Sequence, residues 1–197
     1  MSFKLILITA PEIKENEAEL ISALFGKGLQ ILHVRKPNSS LSEMRSFLAS
    51  IPKKFHKKIV IHSHYRLANE FDLRGMHLPE KSRKKKLPAS FRKRKHTLSA
   101  SFHSVWQVLK TKRKYDYVFL SPVYNSISKK GYKSHFTEDE LKQLLKKKKN
   151  VVALGGIAPG VINNLKNLGF TGAASLGFVW ESKDPVKSYR QLASKIQ

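Results

Sequence analysis

Tyr117–Gly131 reads YVFLSPVYNSISKKG. A five-residue run with the make-up of a buried strand, YVFLS, passes directly into a loop carrying Ser126, Ser128 and Lys129. Two small hydroxyls and a cation delivered to one strand end suit an anion, although a solvated turn would look the same in one isolated loop. The pattern recurs. Strand-like runs lie at 5–9, 30–34, 59–62, 75–78, 96–101, 117–121, 151–155 and 172–177. They are apolar or β-branched rather than strictly alternating, as in parallel strands covered on both faces.

Helical spacing fills most of the gaps. Ala18, Ile21, Leu24 and Phe25 share one face of a segment that stops at Gly26. Ser40 with Glu43, and Thr137 with Glu140, have capping-box spacing ahead of apolar stripes. Val161 to Leu168 stops at Gly169, and Asp184–Pro185 opens a last helix with Val186, Tyr189, Leu192 and Ile196 inward. The segment Leu67–Phe71 is brief, and the connection between the fourth and fifth strands has no clear pattern. Eight strands alternating with helices predict a single (β/α)8 barrel spanning 1–197. A doubly wound open sheet is the alternative, weakened because no G-x-G-x-x-G follows the first strand.

Composition narrows the function classes. The 197 residues carry 41% hydrophobic residues, enough for a globular core. No run of about 18 apolar residues would span a membrane, and the N-terminal apolar stretch is too short for a secretory signal. Zero cysteines exclude disulfides and thiolate catalysis. A cytoplasmic protein is expected. A net charge of +24 favours polyanions or phosphorylated small molecules as partners. Of the basic runs, Arg92–Lys95, Lys110–Lys114 and Lys146–Lys149 precede strands and belong to the barrel's bottom face. There they would give nonspecific polyanion contact, without the interleaved aromatics a single-strand groove uses. Only Lys81–Lys86 follows a strand and reaches the substrate rim.

Barrel sites form where strands end, and phosphate is often held after the seventh and eighth strands. Those strands end in ALGGIAPG and SLGFVW, so Gly155, Gly156 and Gly177 let backbone N–H groups approach an anion. Arg35 at the end of the second strand adds a guanidinium suited to phosphate, with His33 and Lys36 beside it. His62, His64, His77 and His103 crowd the other strand ends, with Ser101 on the fifth. Five imidazoles would also suit a metal. No carboxylate accompanies them, so no metal ligands are assigned.

Those strand ends resemble thiamine phosphate synthase and its relative, the TenI-type thiazole tautomerase, over nearly the full chain. HVRKP stands where the synthases have Gln-x-Arg-Glu-Lys, IHSHYRLA where they have Asn-Asp-Arg, and GMHLPEKS where they have G-x-H-L-G-Q-x-D. SASFHS resembles the fifth-strand motif, SPVYNSISKKG their phosphate loop, and VVALGGI their seventh strand. The resemblance implies that Arg35 and Lys129 bind the diphosphate of an aminopyrimidine substrate, with His62 and Ser101 near the pyrimidine. Ser126, Ser128, Gly155, Gly156, Leu176 and Gly177 would hold the thiazole phosphate. Arg35, Lys129 and His33 are the candidate catalytic residues. In the synthases diphosphate departs first and the thiazole nitrogen captures the pyrimidine cation.

The departures from the pattern are equally informative. The family's Mg2+-binding aspartates are replaced by Ser63 and Ser82, so Mg2+ is implied by the resemblance while its ligands are missing. Pro37 stands in for a clamp lysine. His33 resembles the tautomerase branch, but Pro122 occupies the position of that branch's catalytic histidine. Three readings follow: a synthase with altered or low activity, a tautomerase-like enzyme or thiazole/thiamine phosphate binder using a rim histidine (His33, His62 or His103), and a polyanion-binding barrel. Lys84–Lys86 would compensate for Mg2+ in the first. The oligomeric state is not encoded in any motif.

Overall fold

The computed structural model describes residues 3–83, 96–125 and 133–196. Eight parallel strands pair in chain order: β1 (Lys4–Ile8), β2 (Ile31–Val34), β3 (Ile59–Ile61), β4 (Gly75–Leu78), β5 (Thr97–Phe102), β6 (Tyr117–Leu120), β7 (Val151–Leu154) and β8 (Gly172–Ser175). The circle is closed by β8 on β1, with Lys4 opposite Gly172 and Leu7 opposite Ser175. That pairing selects the barrel over an open doubly wound sheet. Every strand starts and stops within a residue or two of the position its sequence predicts.

Around the barrel lie α1 (Glu17–Gly26), α2 (Leu41–Ser50), α3 (Leu67–Glu70), α4 (Val105–Lys110), α5 (Glu138–Lys147), α6 (Ile162–Leu168), α7 (Gly177–Trp180) and α8 (Pro185–Ala193). Both capping boxes form. Ser40 Oγ accepts from the Glu43 N–H while Glu43 accepts from the Ser40 N–H, and Thr137 and Glu140 repeat the exchange. Asp184 caps α8, and Gly169 ends α6 with φ +97°. The last helix stops at Ala193, short of Ile196, which still packs on the core. Helix α4 has no counterpart in the sequence reading: it is six residues long, and its Trp106 is exposed.

Two apolar layers hold the fold. Outward strand residues pack under the helices, joined by Leu24, Met44, Leu48, Leu144 and Leu165. Inward residues Ile6, Ile8, Ile31, Val60, Tyr117, Phe119, Val152 and Ala174 fill the barrel itself. Alternation along a strand puts every second residue inside. In β2 to β5 the inward series therefore turns polar toward the C-terminal end, and that end carries the site. Among the described residues no helix is long and apolar enough to cross a membrane.

Candidate active site

Four adjacent strands build the floor of the mouth. His33 is inward on β2, His62 follows β3, His77 is inward on β4, and Ser99 and Ser101 are inward on β5. Nδ1 of His33 lies 2.9 Å from Nε2 of His62, and Nε2 of His33 lies 2.6 Å from the Tyr117 hydroxyl. His77 spans two serines, with Nδ1 2.9 Å from Ser99 Oγ and Nε2 2.7 Å from Ser101 Oγ. The His62 and His77 rings stack at 4.3 Å between centroids, and Phe119 packs against both His33 and His77.

Burial governs the charge of this cluster. It pushes the imidazole of His77 down to about 3. His33 is held well below its ordinary value by burial first, then by His77 and Arg74. His62 follows, through burial, then His77, His33 and the guanidinium of Arg35. Burial also raises the Tyr117 phenol. Around neutral pH the three imidazoles are uncharged. His33 sits beneath the rim rather than on it, and both its ring nitrogens are engaged. His62, only half-buried, is the member that meets the mouth.

Arg35 continues the inward alternation of β2 beyond His33. Its backbone is pinned to β1, the N–H donating to Thr9 Oγ1 at 3.0 Å. Lys36 does not join it at the rim. Its ammonium is buried and donates to Glu17, Ala10 O and Glu12 O. His64, in the left-handed region at φ +49°, turns its ring to Ser39 O, and His103 turns to Ser121 O.

On the opposite side of the mouth the chain leaves β7 through Gly155 (φ +95°) and Gly156 (φ +64°). A Cβ on Gly156 would stand 2.5 Å from Asn125 O, and one on Gly155 would stand 2.7 Å from Pro122 Cβ. No side chain fits there, so the turn packs by its backbone against the base of the loop after β6. Ser175 Oγ donates to Ile157 O at 3.3 Å, tying the β8 end to this turn, and Leu176–Gly177 opens α7 beside it. Ser126, Ser128 and Lys129 lie outside the described residues, as do Lys84–Lys86 and Arg92–Lys95.

Residues 5–178 match the family model for thiamine monophosphate synthase. The chain belongs to the thiamine monophosphate synthase family. A solved thiamine phosphate pyrophosphorylase from Bacteroides thetaiotaomicron is 34% identical with a TM-score of 0.83, covering 98% of this chain and 97% of that one. The Pyrococcus furiosus thiamine phosphate pyrophosphorylase is 20% identical with a TM-score of 0.79, over 98% and 95%. The 3-hexulose-6-phosphate synthase from Salmonella typhimurium, 13% identical with a TM-score of 0.67 over 100% and 98%, shares the fold. No curated protein sequence matches significantly.

Within this family the Mg2+ implied by the resemblance does not fit the residues present. Ser63 and Ser82 stand where the resemblance puts the two aspartates, and among the described residues the buried Ser63 hydroxyl has no hydrogen-bond partner. The Tyr65 hydroxyl bonds to His62 O and His77 O at 3.0 and 3.1 Å. The adjacent Glu80 is paired with Arg83 at 2.6 Å. Among the described residues, no carboxylate cluster gathers at the mouth, and the three-histidine group offers nitrogen rather than the hard oxygen that Mg2+ selects.

His77, Ser99 and Tyr117 complete the network without having been assigned as site residues in the sequence. His77 was visible as a strand-end imidazole. Ser99 and Tyr117 carry no signal beyond inward parity on their strands.

The basic runs Lys110–Lys114 and Lys146–Lys149 lie away from the mouth. Lys112, Arg113, Lys114 and Lys148, with Arg74, line a cleft of about 730 Å3 at the N-terminal ends of β5, β6 and β7. A polyanion held there would stand at the far end of the barrel from the histidines.

Proposed function

We propose that the chain binds a thiazole phosphate at the β7–β8 side of the mouth and joins it to an aminopyrimidine diphosphate. The observation that carries this reading is the Gly155–Gly156 turn, whose backbone leaves no room for side chains, within a family match over residues 5–178. In this reaction the bond from the pyrimidine methylene carbon to diphosphate breaks, its electrons leaving with the diphosphate. The thiazole nitrogen then bonds to that carbon. Arg35 faces the mouth, and its fixed positive charge stabilises the departing anion. Lys129 would add a second cation, as the family resemblance implies. With serines at the aspartate positions, no step is assigned to Mg2+, and turnover is expected to be low. The thiazole- or thiamine-phosphate ester is the small-molecule partner, and the basic cleft at the bottom adds at most salt-sensitive polyanion contact.

One observation favours a second reading, a tautomerase-like enzyme or a phosphate-ester binder. His62 stands where the synthases contact the aminopyrimidine through asparagine, and it is locked into the histidine network. One experiment separates the two. The purified chain is given both substrates with and without Mg2+, and thiamine phosphate is followed as product. Metal-independent product supports the transferase. No product, together with thermal stabilisation by thiazole phosphate alone, supports the binder. Neither product nor stabilisation overturns both.

A further inference from the structure

We infer that His33, His62 and His77 form a three-imidazole site for a borderline divalent ion of the zinc type, with its fourth position open to the barrel mouth. One ring nitrogen from each of the three lies within 4.8 Å of the others. Their donor set is the reverse of the magnesium site the family implies: three neutral nitrogens and no carboxylate, a combination that suits Zn2+ or Co2+. Three protein nitrogens with one open position is also the arrangement of catalytic zinc centres.

The surroundings fit a metal. Ligating histidines usually give their second ring nitrogen to an orienting partner. The Tyr117 hydroxyl at Nε2 of His33 leaves Nδ1 turned to His62. Ser99 Oγ has Met76 O as an acceptor at 3.4 Å, so it can accept from Nδ1–H of His77, and Nε2 exchanges Ser101 Oγ for the ion. Phe119 closes the floor. Half-buried His62 is the most solvent-exposed of the three ligands, on the side of the mouth. Nitrogens bound to tetrahedral zinc stand roughly 3.4 Å apart, so His33 and His62, now 2.9 Å apart, would separate slightly as His77 closes in. The inference holds whichever phosphate ester the mouth takes.

The test uses untagged, full-length protein stripped with a chelator and titrated with Co2+ as a spectroscopic probe, then with Zn2+ as competitor. One ion per chain is expected, with visible ligand-field bands of tetrahedral intensity that Zn2+ removes and Mg2+ does not. His77→Gln and His62→Asn should each abolish the bands, while His103→Asn leaves them. Ser99→Ala should weaken affinity roughly 10–100-fold. His62→Asn is the deciding variant, because its half-buried position lets it fold, which circular dichroism checks. A Co2+ spectrum matching the hydrated ion would reduce the cluster to hydrogen-bonded core histidines and overturn the site. Bands that persist in folded His62→Asn would do the same.

Discussion

Nζ of Lys36 lies 2.6 Å from Oε2 of Glu17, and both side chains are sealed from solvent. The next residue back, Arg35, has the inward parity of His33, and its charge acts on His62. Two consecutive cations thus have opposite fates. Strand alternation gives Arg35 the inward parity and sends Lys36 into the seam between β2 and α1, where Ala10 O and Glu12 O complete its shell. Burial lowers the Lys36 ammonium pKa, and Glu17 pulls it back.

Lys36→Met would leave the Glu17 carboxylate buried without a partner. Breaking a buried pair costs on the order of 3–5 kcal/mol, because one charge is left uncompensated. Urea unfolding should show that loss, and Lys36→Met/Glu17→Gln should recover a good part of it. If the single variant is as stable as the parent, the pair is not holding α1 to the barrel.

Arg35 makes a contrasting case. In the proposed site its guanidinium meets ligand rather than core, so Arg35→Met should leave stability within about 0.5 kcal/mol, as for surface changes. Diphosphate affinity should fall by about 1.5–3 kcal/mol, the value of a hydrogen bond to a charged group. Arg35→Lys should recover only part, since an ammonium lacks the bidentate fork. Calorimetric titration with inorganic diphosphate reads both. Equal affinity in all three proteins would remove Arg35 from the site.

The barrel was legible because each strand is an apolar run bounded by polar turns, and strand parity gave Arg35 the inward side on which the proposed site depends. Lys36 was misjudged, because adjacency in sequence says nothing of a partner 19 residues earlier. The histidines were visible one by one as strand-end residues. Their assembly was not, since it depends on the register that sets His33 opposite Val60 and His77 opposite Ser99. Tyr117 reads as ordinary core in its strand, and only barrel closure brings its hydroxyl to a histidine 84 residues away. Helix α4 was missed because six residues give too few turns for a periodic stripe.

Acid should destabilise the metal-free protein. A histidine with a depressed folded pKa binds a proton in the unfolded chain before it does so in the fold. Stability is therefore full above the unfolded value of about 6.5 and is lost as pH falls below it. For His77 the loss continues toward about 3, and His33 and His62 shift in the same direction. Each such group contributes up to about 1.4 kcal/mol per pH unit within its window. Melting temperature measured in chelator from pH 7 to pH 4 should fall steeply, and His77→Gln should flatten the slope. An unchanged slope in that variant would mean the loss arises elsewhere.

Gly156 and Gly28 separate backbone strain from the close approach at the turn after β7. Both have positive φ, +64° and +96°. A Cβ on Gly28 would meet nothing within 4 Å, whereas one on Gly156 would press on Asn125 O and Tyr124 Cβ. Gly28→Ala should therefore cost only the left-handed penalty of roughly 1–2 kcal/mol and leave ligand binding intact. Gly156→Ala bears that penalty plus the collision, and it must push the β7 turn away from the loop after β6. A larger stability loss and at least about tenfold weaker thiazole phosphate binding are expected, the latter equal to roughly 1.4 kcal/mol. Equal affinity in the two variants would show that the ester does not use this turn, and the proposed phosphate position would have to move to another part of the rim.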